Sequence, residues 1–222
     1  MVILLRQLRN PPKGLFLSFT CVYLKFSLLG KGDIKVSKPE LYVSLAVGPN
    51  CDMESYALRS TLECFGARVT MHWIGRPNDL VDVLSGRERD DKVDYLILNF
   101  HGDEGKFCMP ELGEDVYETD EPRGEFFDAQ DVIKYSNLKN LKVIASGCTL
   151  GSSLLATAFL TSGCHSYIGP NDYIDGNSNL MFMMRFFYEL ISNNKSQQEA
   201  FEVARNIDQE TSMYQMYLST VN

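Results

Sequence analysis

Two apolar runs in this chain end in the same way, and that limits the folds open to it more than any other feature. Leu141-Lys142-Val143-Ile144-Ala145 runs into Ser146-Gly147-Cys148. A short apolar run broken by glycine suits a buried strand and the turn after it. Ser152 and Ser153 can cap the apolar helical stretch beyond. Asp94-Tyr95-Leu96-Ile97-Leu98-Asn99-Phe100 has the same build and runs into His101-Gly102. Cys148 and His101 are therefore expected at the C-terminal tips of two parallel strands, where open α/β sheets keep their reactive groups. A lone cysteine there would read as core filling. With an imidazole at the neighbouring tip, it reads as a nucleophile beside its base.

The rest of the chain alternates in the same manner. Leu41 to Val47 predicts a first strand, and Asp52 a cap for a helix carrying Leu58, Leu62 and Phe65. Arg68 to Ile74 predicts the second strand, and Leu80, Val83 and Leu84 a short helix. Tyr95 to Phe100 is the third strand, Asp128 opens a helix, and the fourth strand starts near Leu141. A helix over 153–162, a fifth strand over 166–168, an amphipathic helix with Leu180, Met183 and Phe187, and the capping box Ser196–Glu199 follow. Strand–helix alternation of this kind predicts a mostly parallel sheet with helices on both faces. One domain over 39–222 results, preceded by an extension over 1–38 expected as a hairpin or edge strand. Leu15 to Leu29 is too short and too polar for a membrane span, and no cleavage site follows it cleanly.

Composition removes several functions. The net charge of −8 argues against a nucleic-acid binder, which needs a basic face. The six cysteines contain no C-x-x-C pair, which argues against a zinc ribbon or a disulfide framework and for a reducing cytoplasm. Gly48-Pro49-Asn50, after the first strand, is neither a dinucleotide fingerprint nor a P-loop, so a nucleotide-binding fold is disfavoured. No metal and no cofactor is expected; His72 and His165 read as structural. The connection over 103–128 is unusually long. It holds ten acidic residues against Lys106 and Arg123, a net −8. It reads either as a solvated excursion with a small hairpin around Gly113 and Gly124, or as a negative rim beside His101 that attracts a basic substrate. Its acidic spacing matches no EF-hand loop.

The pairing of apolar strand–His101–Gly102 with apolar strand–Ser146–Gly147–Cys148, 47 residues from 101 to 148, resembles the caspase-like cysteine peptidases. These include caspases, metacaspases, legumain, clostripain, separase and bacterial CHAT domains. Cys148-Thr149-Leu150-Gly151 departs from the caspase pattern Gln-Ala-Cys-x-Gly and is closer to the Ala-Cys-Glu-x-Gly form of legumain and CHAT domains. The resemblance runs from Leu41 to Ile207. It implies a three-layer caspase-like α/β fold and an endopeptidase acting on a protein or peptide. It also implies Cys148 as nucleophile, His101 as general base and acid, and the backbone N–H groups of Gly102 and Cys148 as the oxyanion hole. Asn50, in a turn similar to that of legumain, is either an orienter of His101 or plain turn chemistry. Asp172 stands nearest the position where separases and CHAT-like proteins read a basic residue, or belongs to a Pro-Asn-Asp turn. Asp175 reads as a helix cap. The same residues also fit a caspase-like module that binds or scaffolds without turnover.

Overall fold

The apolar runs become strands because both of their faces are covered. The structure, a computed structural model, describes residues 41–220; the expected hairpin or edge strand over 1–38 lies outside them. In chain order the elements are β1 (Tyr42–Val47), α1 (Asp52–Phe65), β2 (Arg68–Trp73), α2 (Pro77–Ser85) and β3 (Tyr95–Asn99). Three short strands follow, β4 (Gly102–Asp103), β5 (Lys106–Cys108) and β6 (Phe126–Phe127), and then α3 (Ala129–Tyr135) and β7 (Lys142–Ser146). The chain continues through α4 (Ser153–Thr161), β8 (Ser166–Pro170), α5 (Gly176–Ile191), α6 (Gln197–Arg205) and β9 (Tyr214–Leu218).

The main sheet has the order β2-β1-β3-β7-β8-β9. Its first five strands are parallel, and β9 closes the edge antiparallel to β8. Period-two alternation sends Ala46, Leu98 and Ala145 to one face with Leu80, Val132 and Phe159 of α2, α3 and α4. Leu45, Ile97 and Ile144 point to the other, against Leu58, Phe186 and Ala200 of α1, α5 and α6. The result is a three-layer α/β architecture. Asn99 stands opposite Ser146, so β3 and β7 end level and release their loops at one edge.

Three details differ from the sequence reading. Asp52 does not cap α1: the cap position is Cys51, which makes no side-chain cap bond, while Asp52 and Glu54 occupy the first turn. Their charge still complements the helix's positive end. The acidic connection adds a tight turn at Glu104–Gly105, both at positive φ (47° and 74°), before β5 pairs with β6 across the loop that holds Gly113 and Gly124. β9 was not expected: Tyr214-Gln215-Met216-Tyr217-Leu218 is too short and mixed to stand out in sequence, and pairing with β8 makes it a strand.

The acidic connection is tied down by one of its own charges. Glu121 is buried, and its carboxylate accepts from Arg76 Nε at 2.9 Å, Arg76 Nη2 at 2.5 Å, Asn78 N at 3.0 Å and Glu118 N at 2.8 Å. The Arg76 side chain and these amides hold its pKa at about 2, below the usual carboxylate range. Among the described residues no helix is long and apolar enough to cross a membrane.

Candidate active site

The two motif glycines explain how the strand tips meet. A Cβ on Gly147 would overlap the Phe100 carbonyl oxygen, and one on Gly102 would overlap the Cys148 carbonyl oxygen. Only glycine allows the His101 and Cys148 segments to pack backbone against backbone. Phe100 N donates to Ser146 O at 3.0 Å and Gly48 N to Asn99 O at 2.8 Å, which continues the sheet ladder into the loops.

Above these tips lies a cleft of about 150 Å³. His101 and Cys148 both line it, His101 exposed and Cys148 half-buried. The Cys148 thiol donates to Ile174 O at 3.5 Å. The His101 side chain makes no hydrogen bond among the described residues, so the two groups face one space without touching. Catalytic hydrogen bonds of this kind often close only around substrate. The first turns of α1 and α5 supply two further walls through Cys51 and Glu54, and through Gly176 and Asn179. Asn99 fixes the α1 wall, because its Nδ2 donates to Ser55 Oγ at 2.7 Å and to Cys51 O at 3.3 Å. Both helices thus turn their positive ends toward the cleft.

A second thiol lines the cleft. Burial, helped by the charge of Glu54, pushes Cys51 up to about 12, so it stays protonated at neutral pH. Glu54 carries a carboxylate on the cleft wall that makes no hydrogen bond or ion pair among the described residues. The sequence reading missed it, because an acid in a first helical turn is expected for the helix's own sake.

The other expected site residues stand elsewhere. Asn50 is exposed at φ 59°, is not among the cleft residues and makes no hydrogen bond to His101; its geometry is that of a turn. Asp172 is exposed and also outside the cleft lining; its carboxylate accepts from Tyr173 N at 2.8 Å and its carbonyl from Thr149 N at 3.0 Å. Asp175 caps α5 as expected. Asp103, at the start of the acidic connection, accepts from the hydroxyl of Tyr173 at 2.5 Å; neither residue is among those that line the cleft. Among the described residues no group of three or more His, Cys, Asp or Glu side chains is arranged to hold a metal ion.

No family model matches the sequence, and no curated protein does. Solved structures do match. The Arg-specific cysteine proteinase gingipain R superposes with a TM-score of 0.54 at 10% identity, over 80% of this chain and 46% of that one. The Saccharomyces cerevisiae separase–securin complex gives 0.54 at 11% identity, over 82% of this chain and 12% of that one. The fold is the caspase-like one. This chain spans less than half the length of either structure. At such identities the likeness establishes architecture; the parallel pairing of β3 and β7 in this chain places the two motif loops at the sheet's C-terminal edge.

Proposed function

We propose that this chain is a cysteine endopeptidase whose nucleophile is Cys148 and whose proton carrier is His101. The observation that carries the reading is that thiol and imidazole, 47 residues from 101 to 148 in sequence, line one cleft at the level ends of β3 and β7. In the proposed reaction His101 takes the thiol proton as sulfur attacks the peptide carbonyl carbon. The tetrahedral oxyanion is held by the Gly102 and Cys148 backbone N–H groups. The imidazolium then protonates the leaving amine, and the C–N bond breaks. Water, deprotonated by His101, hydrolyses the remaining thioester.

The proposed preference is for Arg or Lys before the scissile bond. Gingipain R is Arg specific, and the cleft of this chain holds an open carboxylate, Glu54. Glu54 stands ahead of Asp172 as its reader, since the Asp172 carboxylate is outside the lining and already accepts a backbone N–H. Fluorogenic peptides varied at that one position test this. Glu54→Gln is expected to lower kcat/KM for the basic substrate by roughly 2–4 kcal/mol, by leaving a cation without its partner. Asp172→Asn is expected to change it little. The reverse pattern would return the role to Asp172, and a preference for Asp or a small apolar residue would remove both.

A module without turnover is the second reading, and the observation in its favour is that the His101 imidazole has no hydrogen-bond partner to orient it among the described residues. Hydrolysis that disappears in Cys148→Ala excludes it.

A further inference from the structure

Beneath the cleft lies a group of buried polar side chains that the reaction itself does not use. Ser146 ends β7, two residues before Cys148; Asn179 is in the first turn of α5; Tyr214 opens β9. They are 3%, 7% and 0% exposed. Asn179 Nδ2 donates to Ser146 Oγ at 2.8 Å. The Tyr214 hydroxyl donates to Asn179 Oδ1. The three side chains thus form one chain of hydrogen bonds, from Tyr214 through Asn179 to Ser146. Burial keeps the Tyr214 hydroxyl protonated far above neutral pH, so the chain of bonds carries no charge.

An all-apolar core would be the simpler way to fill this space, whereas a satisfied polar network specifies one arrangement of its members. What this network fixes is particular. Ser146 O takes the Phe100 N–H at 3.0 Å, so the residue that ends the network is joined to the His101 side of the cleft. Asn179 holds the start of α5, three residues past Gly176, and the segment before it presents Ile174 O to the Cys148 thiol at 3.5 Å. Tyr214 is itself held by the ring of Phe182, stacked at 3.5 Å between centroids and 5° between planes. The three side chains thus link β7, α5 and β9 at the point where the thiol emerges.

We infer that Ser146, Asn179 and Tyr214 are positioning residues whose linked hydrogen bonds set where the Cys148 thiol stands relative to His101. The inference rests on the peptidase reading for its consequence in turnover, and on the geometry alone for its consequence in thiol reactivity.

Tyr214→Phe removes one oxygen and keeps the ring stacked on Phe182. In the full-length chain it is expected to lower kcat by about 10- to 100-fold, the effect of a small misplacement at a reacting centre, with KM within about 2-fold. Iodoacetamide alkylation of Cys148, followed by mass spectrometry of its peptide, should change several-fold in the same variant. Ser146→Ala should reproduce both effects, and Ser146→Thr, which keeps the hydroxyl, should restore them. An unaltered kcat and alkylation rate in folded Tyr214→Phe, with only the melting temperature lowered, would overturn the inference and leave the three side chains as packing. Should Tyr214→Phe not fold, the Ser146→Ala and Ser146→Thr pair decides by the same two readouts. If the wild-type chain hydrolyses no peptide, the peptidase reading falls, while the alkylation rates still decide whether the linked hydrogen bonds position the thiol.

Discussion

Two cysteines line the cleft, and their surroundings give them different chemistry. Cys51 is 4% exposed, its thiol pushed up to about 12 by burial and by Glu54 and donating to Pro49 O at 3.5 Å. Cys148 is half-buried on the facing tip, with its thiol on a single carbonyl. Iodoacetamide at neutral pH is therefore expected to modify Cys148 well before Cys51, read from the mass shift of the two peptides. His101→Ala should slow the Cys148 reaction if the imidazole favours the thiolate. Faster labelling of Cys51 would place the reactive thiol on α1. That His101 and Cys148 would line one cleft was legible, because each ends an apolar run with a glycine that the close approach requires. That Glu54 would line it too was not, because its place in a first helical turn has an ordinary explanation. Asn50 and Asp172 show the converse: in the fold both do the turn work their types favour.

At the scale of elements, two contacts hold the loops around the cleft. The first is the packing of the β3 and β7 tips. Gly147→Ala would push a methyl group into the Phe100 carbonyl, and overpacking of this kind should cost roughly 1–3 kcal/mol, with activity falling further than stability. Chemical denaturation compared with kcat/KM measures both. The second contact is Glu121, which anchors the acidic connection to the start of α2. Its folded pKa of about 2 lies below the ordinary value of 4.5. The stabilisation it gives is thus fully present above about pH 4.5 and is lost as pH falls toward 2. Glu121→Gln should destabilise the chain at pH 7, because the Arg76 cation and the Asn78 and Glu118 amides lose the carboxylate charge they surround. Melting temperatures of the two proteins should converge as the pH drops below about 4.5. A gap that is constant down to pH 3 would mean that the carboxylate charge is not what anchors the segment. The sequence showed the charge of this connection but not this use of it, because Arg76 and Glu121 lie 45 residues apart.

At the scale of the whole molecule, the architecture was the most legible part. Val43, Leu45, Leu96, Ile97, Val143 and Ile144 are each no more than 1% exposed, and strands covered on both faces read as unbroken apolar runs. That signal survives when identity to gingipain R is 10%, since burial constrains residue class rather than residue identity. β9 escaped because an edge strand, partly open to solvent, need not be apolar throughout; its residues after Tyr214 are only partly covered. The catalytic claim rests on a smaller feature than the fold, namely a thiol and an imidazole facing one cleft. An acyloxymethyl ketone carrying Arg next to the warhead tests it most directly, with the adduct located by mass spectrometry. The account predicts one adduct on Cys148, absent in Cys148→Ala and much slower in His101→Ala and Glu54→Gln. An adduct on any other cysteine, or equal labelling of Cys148→Ala, would contradict it.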